Sequence, residues 1–342
     1  MNAKHHDGFS AIFTPFQRRL YDAGIRHFKK LIHDQPKEWL IKNFRQGAVK
    51  YPVNVACLMR NIIWQLRYRI GKKEKPPLNE LIRTFWYMYI KPTLARADSL
   101  AEKVDQYAQL VDQLVYMVKE LEIMRYDDIG FRDENQANRK VGAHANVILF
   151  AEKLGHQPFI SEIAETYRVS TIALGGQPSV LNIEYFINDV KKTGIDIRKS
   201  FYLFSIVDFD PSGWIIRDAF ISNLAHYGVK NVKCIDLINP DILTSSEVLA
   251  SRYPVPTPES MKTKNQNWWK QVKAQHYINQ KYLVEGEKLY GLEAEAVSSA
   301  RLTEKLKEVM VPIIGKDEEL LKIYELKQLN EAIKALILHI IT

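Results

Sequence analysis

Four short apolar runs, Val147–Ala151, Val169–Leu174, Phe201–Val207 and Val232–Leu237, occupy the middle of this 342-residue chain. Val147–Ala151 and Phe201–Val207 are apolar at nearly every consecutive position rather than at alternate ones, and helical stretches separate the runs. Strands covered on both faces read this way, so the pattern predicts a buried parallel sheet with crossover helices, an α/β fold. A chain of this length suits two or three modules and has a sizeable core available. Beyond about residue 240, after a proline-rich loop at Pro254 to Pro258, the remainder reads as mostly helical. It ends in a helix over Leu326 to Ile341, apolar on one side, as core or oligomer contacts are.

Two of the runs end in acids. Phe201–Val207 delivers Asp208-Phe209-Asp210 to its C-terminal end, and Pro211-Ser212-Gly213 turns the chain away. Ligands of open α/β sheets bind at that edge. Residues two apart in an extended segment point the same way, so Asp208 and Asp210 can share one hard cation; a turn or helix cap is the alternative. Val147–Ala151 likewise ends in Glu152, followed by Lys153. His156 lies four residues after Glu152, as in a zinc pair on a helix, but Gly155 and Pro158 argue against that helix. Cys57 and Cys234 have no metal-ligand neighbours and are expected as buried thiols, with neither zinc nor a disulfide.

The first part of the chain is different in texture and charge. Residues 10–70 carry apolar and basic residues at helical spacing. Residues 1–75 hold 16 Lys/Arg against 5 Asp/Glu, whereas residues 76–342 hold 32 against 35. Such a basic segment can neutralise phosphates, or can be a solvated helical surface. The break Gly71-Lys72-Lys73-Glu74-Lys75-Pro76-Pro77 suggests a boundary, followed by a helix from Leu78 that Pro92 ends. Ser99 and Glu102 suggest a capping box for a longer helix, and Tyr126 to Phe131 suggests a β-wing. With Leu78 as zero and about 100° per residue, Leu81, Ile82, Phe85 and Tyr89 fall on one stripe, while Tyr87 and Arg83 share the opposite face. Four residues apart, Arg83 can approach the Tyr87 phenol or a phosphate beside it.

The order strand-Glu152-Lys153, Gly176-Gln177-Pro178, strand-Asp208-Phe209-Asp210-Pro211-Ser212-Gly213 resembles the Toprim domain of topoisomerase VI A subunits and of their relative, the meiotic double-strand-break protein. Tyr290-Gly-Leu-Glu-Ala-Glu-Ala-Val-Ser-Ser299 is similar to a helix-opening segment of the same subunits. Arg83-Thr84-Phe85-Trp86-Tyr87 resembles their Arg-x-x-Tyr-Tyr motif, whose second tyrosine attacks DNA; Trp86 replaces the first. Leu154 stands where the family has an acid after Glu-Lys.

That resemblance covers about residues 75–310 and implies a helical N-terminal region (1–70), a winged-helix, CAP-like domain (71–145) and a Rossmann-like Toprim domain with C-terminal helices (146–342). It implies Mg²⁺ held by Glu152, Asp208 and Asp210, with Tyr87 as nucleophile and Arg83 stabilising the added negative charge. Double-stranded DNA as substrate, a homodimer cutting both strands through 5′-phosphotyrosyl links, and a separate ATPase B-type subunit are implied with it. The chain itself has no G-x-x-x-x-G-K-[ST] phosphate loop, in keeping with a borrowed ATPase. The alternatives are a Toprim-type nuclease of a defence or repair system that uses water, and a degenerate DNA-binding subunit. No apolar run approaches the roughly 18 residues that span a bilayer, so a cytoplasmic, nucleoid-associated or nuclear location is expected.

Overall fold

The computed structural model describes residues 13–45, 51–175 and 179–315, together with 326, 329, 330, 332–334, 336 and 337. Gly176-Gln177-Pro178 and most of the expected last helix lie outside them. The chain divides into two units, Met1–Glu134 and Asn135–Thr342. Among the described residues no helix is long and apolar enough to cross a membrane.

The first unit is helical: α1 (Pro15–Asp22), α2 (Lys37–Phe44), α3 (Val55–Gly71), α4 (Ile82–Phe85), α5 (Lys91–Arg96) and α6 (Gln106–Val115). Thr14 caps α1 in a capping box with Gln17, and Asn54 caps α3. α3 is the centre of the unit, burying Leu58, Met59, Ile62, Ile63 and Leu66, and it packs against α6. Arg60 donates to Gln113 and Arg67 pairs with Asp128, so contacts cross the Gly71–Pro77 break. The boundary expected there therefore falls inside one unit that runs on to Glu134.

Three local expectations change. The helix from Leu78 begins only at Ile82 and is not ended by Pro92; a wide, i→i+5 turn over Trp86–Ile90 leads into α5, which carries Pro92 in its first turn. Lys91 N–H donates to Trp86 O across the wide turn, and proline, which has no N–H, is tolerated where a first-turn donor lacks a helical acceptor. Ser99 caps nothing: its hydroxyl donates back to Ala97 O, and Asp105 opens α6 by accepting from Ala108 N–H. The Tyr126–Phe131 segment is a turn closed by a parallel bridge between Glu80 and Phe131, in place of the β-wing.

The second unit is mixed α/β. A five-stranded sheet has the order β1-β3-β2-β4-β5, from β1 (Arg139–Lys140), β2 (His144–Ala151), β3 (Val169–Ala173), β4 (Phe201–Ile206) and β5 (Val232–Asp236). β2 to β5 are parallel, and β1 pairs antiparallel at one edge. The connections are α7 (Gln157–Tyr167), α8 (Val180–Lys192) and α9 (Pro211–His226). Right-handed crossovers put α7 on one face and α8 with α9 on the other, and α8 does pack on α9 while α7 packs on α12 (Ser299–Ile314). β2 is fully buried and β3 likewise, which is why β2 runs apolar without alternation from Val147 to Ala151 and why the polar residues of β3, Ser170 and Thr171, are buried too. β5 is an edge strand, and Cys234 on it is exposed; Cys57 is half-buried with its thiol on Gly24 O. Neither is the fully buried thiol expected.

The segment after residue 240 is less helical than expected. Besides α10 (Ser245–Ser251) and α11 (Lys262–Ala274) it forms a second, antiparallel sheet of order β6-β8-β7, from β6 (Arg252–Pro254), β7 (Val284–Glu285) and β8 (Lys288–Leu292).

Candidate functional site

Strand order places the acids. β2 connects to β3 on one side while β4 lies on its other side, so the sheet's topological switch point is between β2 and β4, where the carboxyl ends of the strands open a crevice. β2 pairs with β4 from Val147↔Tyr202 to Ala151↔Ile206, and Glu152 N–H extends the ladder to Ile206 O at 3.1 Å. Glu152 and Asp208 thereby emerge side by side, and Asp208 N–H donates to Glu152 Oε2 at 3.4 Å.

The next residues are fixed by local chemistry. Phe209 is fully buried among Trp214, Trp268 and Tyr277, with ring centroids 5.6–5.8 Å away. Alternation along the extended segment turns Asp208 and Asp210 away from that cluster. Asp210 caps α9, accepting from Gly213 N–H at 2.7 Å, and Pro211 follows at the first helical position, where its fixed φ suits the helix. The other Asp210 oxygen accepts from the Tyr253 hydroxyl at 2.8 Å. β8 runs alongside: Phe209 and Leu292 exchange both backbone hydrogen bonds, and Ala294 N–H donates to Asp208 Oδ1 at 2.8 Å. The Glu-Ala-Glu segment singled out in the sequence thus reaches the acids through its backbone. Lys153 Nζ lies 3.2 Å from Asp208 Oδ2 and 2.8 Å from Glu295 Oε2.

Burial, and then the charges of Asp208 and Asp210, push the Glu152 carboxyl above its ordinary range against the Asp208 N–H bond. Asp210 is raised chiefly by burial, with Asp208 adding to it and the Gly213 and Tyr253 bonds opposing. Burial pushes Lys153 down, but its bonds to Glu295 and Asp208 prevail and hold it above the usual lysine value. Glu295 is held low by Lys153 against a burial effect of opposite sign. Glu152 and Asp210, both raised in part by the charge of Asp208, make with it an oxygen-only donor set suited to a hard divalent cation, whose charge relieves the repulsion. Among the described residues, however, no three His, Cys, Asp or Glu side chains are gathered as a metal-binding group. Asp208 has the Lys153 ammonium for a counter-ion instead. A divalent cation fits the chemistry of these donors, and on Asp208 it competes with Lys153.

His156 sits in a short 3₁₀ turn before α7, with Pro158 in the first turn of that helix. Glu152 and His156 are therefore not on one helix, as the sequence suggested. Burial lowers the imidazole's pKa.

The tyrosine site lies in the helical unit. The wide turn leaves Tyr87 51% exposed between buried Trp86 and buried Ile90. Arg83 is exposed on the same side, but its guanidinium stands over the Tyr107 ring at 5.5 Å, while Lys91 Nζ is 5.1 Å from the Tyr87 ring centroid. Arg83, Tyr87, Lys91 and Tyr107 line an open cleft of about 570 Å³. Tyr89, read as core, is half-buried with its ring on Phe85 and His33. Tyr253, Glu295 and Lys91 were given no role by the sequence. Tyr253 reaches Asp210 across 43 positions and has no local signal, whereas Lys91 was readable as the residue four after Tyr87.

The chain matches no protein-family model, and no curated protein matches it.

Proposed function

We propose that this chain is the DNA-cleaving A subunit of a type IIB topoisomerase-like assembly, acting by transesterification on duplex DNA. The observation that carries the reading is that Glu152 and Asp208 emerge side by side at the switch point of a parallel sheet with Asp210 two residues on, in a chain that also exposes Tyr87 with Lys91 at its ring and Arg83 lining the same cleft. The domain types, a winged helix followed by Toprim, belong to this proposal. Tyr87 Oη attacks a backbone phosphorus, a 5′-phosphotyrosyl ester forms as the P–O3′ bond breaks, and the retained ester lets the strand be resealed. Arg83 and Lys91 offset the negative charge that builds on the phosphate. Mg²⁺, held by Glu152, Asp208 and Asp210, would supply the charge that orients the phosphate and screens the leaving oxygen. A homodimer and a separate ATPase subunit complete the assembly.

Incubating the chain and its ATPase partner with supercoiled DNA and Mg²⁺, then denaturing, tests this. The expected result is a covalent protein–DNA adduct that Tyr87→Phe abolishes while DNA affinity stays within about twofold, because only an exposed hydroxyl is lost. Adduct formation by the variant overturns the nucleophile. Free cut ends without an adduct favour the water-using nuclease instead. The ammonium on Asp208 favours a further reading, a DNA-binding subunit without cleavage, which predicts binding indifferent to chelator and no cutting at any Mg²⁺ or Mn²⁺ concentration.

A further inference from the structure

The stretch Gly24 to Ile32 has little regular structure, yet it is fastened to α3 by two buried amides four residues apart. Asn61 Oδ1 accepts from Arg26 N–H at 2.8 Å, and its Nδ2 donates to Gly24 O at 2.9 Å. Gln65 Nε2 donates to Phe28 O at 2.8 Å and Lys30 O at 2.7 Å, while Ile32 N–H donates to Gln65 Oε1 at 2.9 Å. Alternate residues thus face α3 as in a β-ladder, with side-chain amides in place of a partner strand. Arg69 donates to Lys29 O from the next turn of α3.

This fastening walls a pocket of about 220 Å³. Buried Trp64 is in its lining, the half-buried Tyr68 ring and the exposed His27 ring meet edge to face at 5.0 Å, and positive charge comes from Lys29, Arg69 and Arg26, whose guanidinium also donates to Asn43 O and lies over the Phe28 and Phe44 rings. Glu74 is the acid of the lining, 4.0 Å from Arg69. Flat rings beside cations match a flat, anionic ligand: the base gains stacking area and the phosphate gains counter-charge. A wall fixed before binding keeps the ordering cost low. The volume suits one base, and a base stacked inside a duplex presents no free face to such a pocket.

We propose that this pocket is a subsite for one unpaired nucleotide of DNA, with the base against Tyr68 and His27 and its phosphate on Lys29. The inference rests on the DNA reading above for the ligand's identity and assigns that reading a second, non-catalytic contact. It is tested with the full chain carrying Tyr87→Phe, in chelator, so that cleavage plays no part. The probes are a short single strand with one 2-aminopurine, the same strand with an abasic site, a blunt duplex, and inorganic phosphate. Binding should quench the 2-aminopurine, and Tyr68→Ala should weaken the single strand about tenfold while leaving the duplex within about twofold. Lys29→Gln should weaken both and lower the salt slope by about one. Tyr68→Leu, which keeps the apolar body, should retain the melting temperature and still lose quenching. Equal affinity for abasic and intact strands, with phosphate competing, makes the site an anion site and overturns the proposal. So does a single-strand affinity untouched by Tyr68→Leu. Absence of binding to any DNA brings down the DNA reading, whereas duplex binding with a silent pocket brings down the subsite alone.

Discussion

Gly213 has no room for a β-carbon, since one would stand 2.2 Å from Asp208 O. Gly213→Ala should therefore cost about 3 kcal/mol in urea denaturation, because the clashing atom is backbone and cannot swing aside; a loss under about 0.5 kcal/mol, the level of an ordinary surface change, would sink this account. Glu152 gives a pH-dependent test. Its pKa is raised in the folded state by burial and by Asp208 and Asp210, so the folded protein holds that proton more tightly than the unfolded chain does. The stability this provides is present at low pH and is lost as pH rises from the ordinary carboxylate range through the raised value. Glu152→Gln should then melt about 1–3 °C above the parent near pH 8, with the gap closing near pH 4. Mg²⁺ should raise the parent's melting temperature more than the variant's. A variant that melts lower at the higher pH shows that Glu152 is held by favourable bonds that outweigh burial and repulsion. Asp208, Asp210 and Glu152 were legible in the sequence because each is the first polar residue after an apolar strand or two positions beyond. Their partners Tyr253 and Ala294 were not, because they arrive from another sheet and its trailing turn.

At the level of elements, legibility followed burial. The strands β3 to β5 lie within a residue of the apolar runs and β2 begins three residues before its run; for β2 to β4 this is because a strand covered on both faces carries its signal in composition. The second sheet was missed because its strands, Arg252–Pro254, Val284–Glu285 and Lys288–Leu292, are two to five residues long and largely polar or half-exposed. Its pairing, Pro254 to Tyr290, is long-range. The helix after Asp105 was placed too early because a Ser-x-x-Glu pattern is cheap to produce by chance. A fixed 100° per residue also cannot show a wide turn. That turn is tied to Pro92, which withholds a hydrogen bond from the preceding carbonyls. Pro92→Ala restores the donor, so the turn should tighten toward α geometry and rotate Tyr87. The expected outcome is a melting temperature equal to or above the parent's with a reduced yield of covalent adduct. An unchanged yield would show that the wide turn is dispensable for presenting Tyr87.

Across the whole molecule, the basic excess of residues 1–75 and Tyr87 belong to the helical unit, and Glu152, Asp208 and Asp210 belong to the α/β unit. Composition alone revealed this division, although not where the boundary lies, because no proline or glycine cluster marks Glu134. A mixed α/β second unit was read correctly as a class. Within the helical unit, the stretch fastened by Asn61 and Gln65 has a consequence for how that unit breathes. The amide hydrogens of Arg26 and Ile32 are donated to side chains whose own residues are 0% and 6% exposed on α3. Releasing them to solvent deuterium requires those amides to leave the core, which is an opening of the whole unit and not a local fluctuation. Although they lie in a connecting segment, these two hydrogens should exchange as slowly as those in the middle of α3, and Gln65→Ala should move Ile32 into the fast class. Hydrogen exchange read by mass spectrometry would thus sort this segment with the core, making it part of the unit's slowest-opening cooperative block.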